Sequence, residues 1–476
     1  MRILLDLSRG LVLLCVMYAA RIAFGCDHVP TGQSLWIRLA APVSTYTAKA
    51  GDPVHAVLTQ DLVCDNEIVL PVGTPIEGVV RSKRKVGWGI RHETAALELE
   101  FNRAMDRAGV EVAIVARVEE VQNARERVRK GVIQGIRSSD TFQGRINSRL
   151  IHLPTWNPYS DPVLIGFKAI FPIFPEPEIY YPAGTDMRLR TTAEISSPPV
   201  MASAAAHESS PAAVAPSVEL DELVEQLPWR VTTQKNVDAD VLNIVFIGSE
   251  EELSSAFREA GWHNADPVSK HTVMKNFYAL LNNSGYAQEP MTTFLLDGKP
   301  EDMNWQKNLN SYGRRDHLRI WRTSMGTTDS VWISSSTHDT GAILAMKYKG
   351  FVHHIAPNID DERATVIRDL NFAGCVKSVS YVSRPEMPTA THNATGDVMH
   401  TDGSVAVIAL QSCQPVEPQL DSNSTNNFRP GNNTFRYIRR QILTFKNDIF
   451  RANIIYGAYD AGRMTVAALR HSTNGE

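Results

Sequence analysis

The segment LNIVFIGSEEELSSAFREAGW, residues 242–262, decides how the second half of this chain folds. Leu242 through Gly248 is an apolar run rich in β-branched side chains, which suits a strand. Ser249, with Glu252 three positions on, forms a capping box, in which two side chains satisfy each other's free backbone N–H at a helix start. Leu253, Ala256, Phe257 and Ala260 then share one helical face, and Gly261 stands where a left-handed stop belongs. The spacing predicts strand, helix and turn in succession.

Downstream of this unit, strands are expected over residues 316–321, 330–336, 376–382 and 404–411, with a helix near 360–370, so the C-terminal domain reads as α+β. Near the end, Phe435, Ile438, Ile442, Phe445 and Ile449 recur every three or four residues, while Arg436, Arg439, Arg440 and Lys446 mostly face elsewhere. That is an amphipathic, basic helix. Its apolar stripe is expected to pack on its own domain, the alternative being a membrane surface.

Upstream, residues 196–217 are rich in Pro, Ala and Ser and cannot bury enough apolar area to fold alone, which makes them a linker. The linker divides a domain of residues 27–195 from one of residues 218–476, whose core is about 241–410. Alternating patterns over 35–39, 54–59, 76–81, 95–101 and 110–118 predict strands, so the N-terminal domain reads as mainly β, a barrel or a sandwich. Residues 123–149 interrupt it with Arg125, Arg127, Arg129, Lys130, Arg137, Arg145 and Arg149 and few acids, read as a helix followed by a loop. Such a run is either a solvated face or a docking surface for an anionic envelope polymer or lipid.

Residues 1–25 have the pattern of a secretory leader: Arg2 and Arg9, an apolar stretch from Leu11 to Ala20, and small residues around a cut at Ala23-Phe24-Gly25. Export to the periplasm or the outer face of the envelope follows, with lipid attachment at Cys26 as an option. Cys26, Cys64, Cys375 and Cys413 form an even set without a CxxC pair, which favours disulfides over a metal cluster. Cys375 and Cys413 each border an expected strand, and the Asp402-Gly403 turn before the second suggests that these strands are antiparallel neighbours, so the two are expected to be bonded. A net charge of -4 provides no global field for nucleic acid, and no nucleic-acid partner is expected.

The densest polar signals are three stretches: residues 314–321, Ser336-Thr337-His338-Asp339, and residues 353–363, which open with His353-His354 and include Asp360, Glu362 and Arg363. With Leu242-Asn243, Gly248-Ser249 and Ala260-Gly261-Trp262, they resemble the LssY C-terminal domain family over roughly 241–410. Ala356 stands where that family's His-His-Ile-Asp-Pro run has an acid, so any role of that acid is absent here. The resemblance implies an envelope or secretion-linked setting and names no reaction. Gly51-Asp52-Pro53-Val54 and Pro71-Val72-Gly73-Thr74, the latter echoed by Pro182-Ala183-Gly184-Thr185, are similar to the layout of β-barrel modules in conjugation-channel proteins.

In a strand, Arg315, His317, Arg319 and Trp321 project to one face, which stacks cations about 7 Å apart and demands anions. These are expected either inside, from Asp339, Asp360 or Glu362, or outside, from a phosphate or carboxylate gripped by arginine. Glu362 with Arg363 reads as an ion pair beside a helix core. His317, His353, His354, Asp339 and Asp360 are the candidates for catalysis or for a divalent metal, although adjacent histidines in a strand point apart, so only one of the pair joins. No nucleophile elbow, P-loop, HExxH or dinucleotide fingerprint stands at a credible position. The leading expectation is an exported envelope protein that binds an anionic ligand or envelope partner and needs no cofactor. The alternative is a hydrolase, metal- or His/Asp-dependent, acting on a phosphate-containing envelope substrate.

Overall fold

The computed structural model describes residues 28–65, 67–105, 110–142, 144–145, 166, 168–196, 212–213, 218–323, 330–345, 350–414 and 433–452. The leader, Cys26 and most of the linker lie outside the described residues.

Six antiparallel strands close into a barrel in the N-terminal part: β1 (Ser34–Leu39), β2 (Pro53–Leu58), β3 (Pro75–Arg84), β4 (Ala96–Met105), β5 (Glu111–Val121) and, late in the chain, β8 (Asp186–Thr191). β4 pairs with both β3 and β5, and β8 closes the ring between β5 and β1. Closure removes the unpaired edges an open sheet would expose. Period-two alternation sends Leu35, Ile37, Leu97, Leu99, Phe101, Ile114 and Leu189 into a single core. The choice between barrel and sandwich is thereby resolved.

The basic segment after the barrel's fifth strand does not open as a helix; among the described residues, α-helix appears only at 142, 144 and 145. It forms a hairpin of β6 (Arg127–Arg129) and β7 (Val132–Gln134), with β7 paired to β4, and then a 3-10 turn at Ser138–Asp140. The cause is the two-residue loop: Lys130 has φ 51° and Gly131 φ 80°, the positive pair that a tight hairpin of this twist requires. Arg127 and Arg129 therefore share a face, while Val128 packs against the barrel core.

The C-terminal domain is built on one large sheet. Along it run β14 (Val376–Ser383), β15 (Ser404–Leu410), β9 (Ile244–Ile247), β12 (Val331–Ala345), β11 (Arg315–Arg322) and β10 (Met303–Asn308), with β13 (Gly350–Ile355) also on β12. Only β9 and β15 run parallel among these. Ala212–Ala213, from the segment read as linker, adds in parallel to β14. The capping box forms as the spacing implies, with Ser249 accepting from the Glu252 N–H at the start of α1 (Glu250–Glu259). α1 and α3 (Ile359–Phe372) cover one sheet face through Leu253, Phe257, Val366 and Leu370 against Phe246, Leu318 and Ile320. Cys375 and Cys413 are disulfide-bonded across adjacent chain ends of β14 and β15.

α4 (Asn433–Ala452) corrects the sequence reading. It docks mainly on the barrel, with one bond from Arg440 to Asn282 of its own domain, and by its basic side. Arg439 is buried against Glu176 and Glu178, 3.0 Å from the latter, Arg440 bonds the carbonyls of Pro172 and Phe174, and Lys446 bonds that of Gly89. Ile438, Ile442 and Phe445 face outward. No described helix is long and apolar enough to cross a membrane.

Barrel and C-terminal domain meet through buried charge. Asp186 of β8 binds Arg38 at 2.7 Å and Lys307 of β10 at 2.6 Å, and Lys307 also binds Asp369 of α3 at 2.7 Å. Burial alone would raise the Asp186 carboxyl, yet the two cations hold it well below the usual range. Arg368 stacks 3.8 Å over the Trp36 ring.

Candidate functional site

β11 is buried on both faces up to its last residue, so the parity of each position decides its surroundings. Arg315, His317 and Arg319 project together, as the strand reading required. Across the ladder Arg315 lies opposite Asp339 of β12, and its Nε donates to that carboxylate at 2.8 Å. Asp339 also lies 3.5 Å from His317 and 3.3 Å from His353. Glu289 closes the group, 3.3 Å from His353 and 3.5 Å from Arg315. Arg319 pairs with Asp240 at 3.4 Å and stacks 4.0 Å over Phe294.

The anions are thus Asp339, Glu289 and Asp240, and not the segment from Asp360 to Arg363. Glu362 lies beyond the opposite face, near Asp316. Asp360 caps a separate network with Thr401, the Asp402 N–H and Arg363, and Arg363 reaches Asp402 at 2.6 Å. The reason is that α3 packs on the face carrying Leu318 and Ile320, while the cations occupy the other. His354, as adjacency in a strand demands, turns away from His353 and bonds Asp397 at 2.7 Å. Glu289 and Asp240 had no signal in the sequence: each is a lone acid far along the chain from the row it serves.

Electrostatics make this group a closed core. Burial pushes the His317 imidazole down to about 3, which keeps it neutral. His353 moves the other way: burial opposes its charge, but Asp339 and Glu289 raise it to about 9. Every charge here already has a buried counter-charge.

Open space lies instead between the barrel hairpin and β12–β13. A cleft of about 380 Å³ is lined by Arg125, Arg127, Arg129, Arg137, Arg145 and Arg314, against a single acid, Asp140. Arg125 is fixed by Glu126, the Asn283 carbonyl and the Glu176 carbonyl, and Arg314 by the Ala124 carbonyl. Arg127, Arg129 and Arg137 form no ion pair among the described residues. Tyr312 and His354, from the C-terminal domain, complete the wall. One side of the cleft is barrel and the other is not, so the site exists only in the assembled chain.

Residues 224–405 match the family model described as LssY C-terminus. Among solved structures, ComB10 of the Com type IV secretion system of Helicobacter pylori is similar, at 12% identity over 35% of this chain and 89% of that chain, with a TM-score of 0.20. No curated protein matches the chain.

Proposed function

We propose that this chain, whose C-terminal region carries an LssY C-terminus domain, is an exported envelope protein that binds a phosphate- or carboxylate-bearing ligand in the arginine-lined cleft between its two domains. The observation that carries the reading is the lining, six arginines to one acid in a concavity of ligand size. Guanidinium groups grip planar or tetrahedral oxyanions bidentately, and three of these have no competing carboxylate in the described structure. The Cys375–Cys413 disulfide supports the exported reading, because such bonds persist in oxidising compartments. Binding is preferred to hydrolysis because the histidines nearest a catalytic set, His317 and His353, are held among buried ion pairs.

The test is calorimetric titration with inorganic pyrophosphate, beside flotation with phosphatidylglycerol vesicles to separate a free from a lipid-borne phosphate. Saturable binding by either probe is expected, with its loss in Arg127→Ser/Arg129→Ser at an unchanged melting temperature, since both side chains are exposed. Equal binding by wild type and variant, or none of either probe, overturns the proposal.

A further inference from the structure

The sheet face opposite the Arg315–His317–Arg319 row holds a second polar group that the cleft does not use. Asp316 of β11, His338 of β12 and Glu362 of α3 each bring one ligand atom within 4.8 Å of the other two. Asp316 and Glu362 are buried, while the His338 side chain is 24% exposed, enough to open a path from solvent. His338 Nδ1 lies 2.6 Å from Asp316. From the barrel, Gln122 and Asn123 donate to the other Asp316 oxygen at 2.6 Å and 2.7 Å.

One atom of this group is unsatisfied: Glu362 Oε1 is buried, and no hydrogen bond reaches it. Buried acceptors without a donor are costly and call for an occupant. Of the nearby protein cations, Lys307 is committed to Asp186 and Asp369, while Arg368, bonded to Gln122 and Thr365, acts on Glu362 through its charge and keeps an unbonded Nε. Two adjacent carboxyls in such surroundings keep a proton or take a cation between them.

We infer that Asp316, His338 and Glu362 form a divalent-cation site of zinc type at the junction of the two domains. One imidazole nitrogen and carboxylate oxygens are a donor set that zinc accepts. The ion satisfies the orphaned Glu362 oxygen. Because Gln122 and Asn123 belong to the barrel, the ion also ties that domain to β11, β12 and α3.

Full-length protein stripped by chelator dialysis and titrated with zinc chloride tests this. One zinc per chain is expected, retained in His271→Gln, whose side chain is exposed outside both sites, and weakened by roughly tenfold or more in Glu362→Gln and in His338→Gln. Circular dichroism checks that each variant folds. For any that does not, cobalt-loaded wild type decides: the ring protons of His338 shift paramagnetically if it is a ligand. The absence of stoichiometric uptake, uptake of unchanged affinity in both variants, or an unshifted His338 ring overturns the inference.

Discussion

At the scale of single residues, the buried row on β11 makes a pH prediction with a definite sign. His353 titrates near 6.5 when unfolded and near 9 when folded, because Asp339 and Glu289 outweigh the cost of its burial. A raised folded value means that the stabilising proton is fully in place below pH 6.5 and is lost as pH climbs through 9, a loss of up to about 3 kcal/mol. His317 acts on the acid side, since an imidazole kept neutral by burial favours unfolding as pH falls below 6.5. Urea melts between pH 6.5 and 9.5 are expected to show falling stability in the wild type and a flatter profile in His353→Gln. An equal slope in both assigns the effect to other groups. The sequence displayed the row itself, because period two places Arg315, His317 and Arg319 on one face. It did not display their partners, since Glu289 and Asp240 arrive from loops and strands whose approach no local pattern encodes.

At the scale of elements, local chemistry was read well where it is short-range. The capping box at Ser249 and the period-two strands of the barrel depend on neighbours a few residues apart, and both appear in the structure. The hairpin of β6 and β7 was misread as a helix because its arginines dominate the composition, while the decisive signal is Lys130-Gly131. Gly131 holds φ 80°, and a Cβ there would meet the Arg117 side chain at 3.1 Å. Gly131→Val is therefore expected to cost on the order of 1–3 kcal/mol in urea unfolding. It should also weaken anion binding, because Arg127 and Arg129 leave the hairpin through this turn. A variant as stable as wild type would mean that the turn relaxes without strain. α4 teaches the complementary lesson: periodicity identified an amphipathic helix, but Glu176 and Glu178 turned its basic side inward.

At the scale of the whole molecule, the two domains are joined by buried charge beside a small apolar contact of Val57 and Val72 with Phe372. Asp369 sits between Lys307 and the Trp262 indole N–H, and Lys307 is shared with Asp186 of the barrel. Removing one partner of such a group leaves the others buried and uncompensated, so Asp369→Asn is expected to cost roughly 3–5 kcal/mol. The loss should appear in calorimetry as separate transitions for barrel and C-terminal domain, where a single transition is expected of the wild type. A single transition at the wild-type temperature would show that the junction contributes little.

The sequence by itself determined the division into a β-rich domain and an α+β domain, the strand and helix of residues 244–259, the Cys375–Cys413 pair and the common face of the β11 cations. All of these follow from patterns or residue types that act within a few positions or through simple pairing rules. Tertiary structure alone decided which carboxylates meet those cations, that Glu362 joins Asp316 and His338 instead, and that the arginines of β6 line a cleft with Arg314. The physical reason is that a sheet separates its two faces completely. A helix packed on one side cannot serve the other: α3 takes the side where Val366 and Leu370 meet Phe246, Leu318 and Ile320, whereas α4 is turned by Glu176 and Glu178.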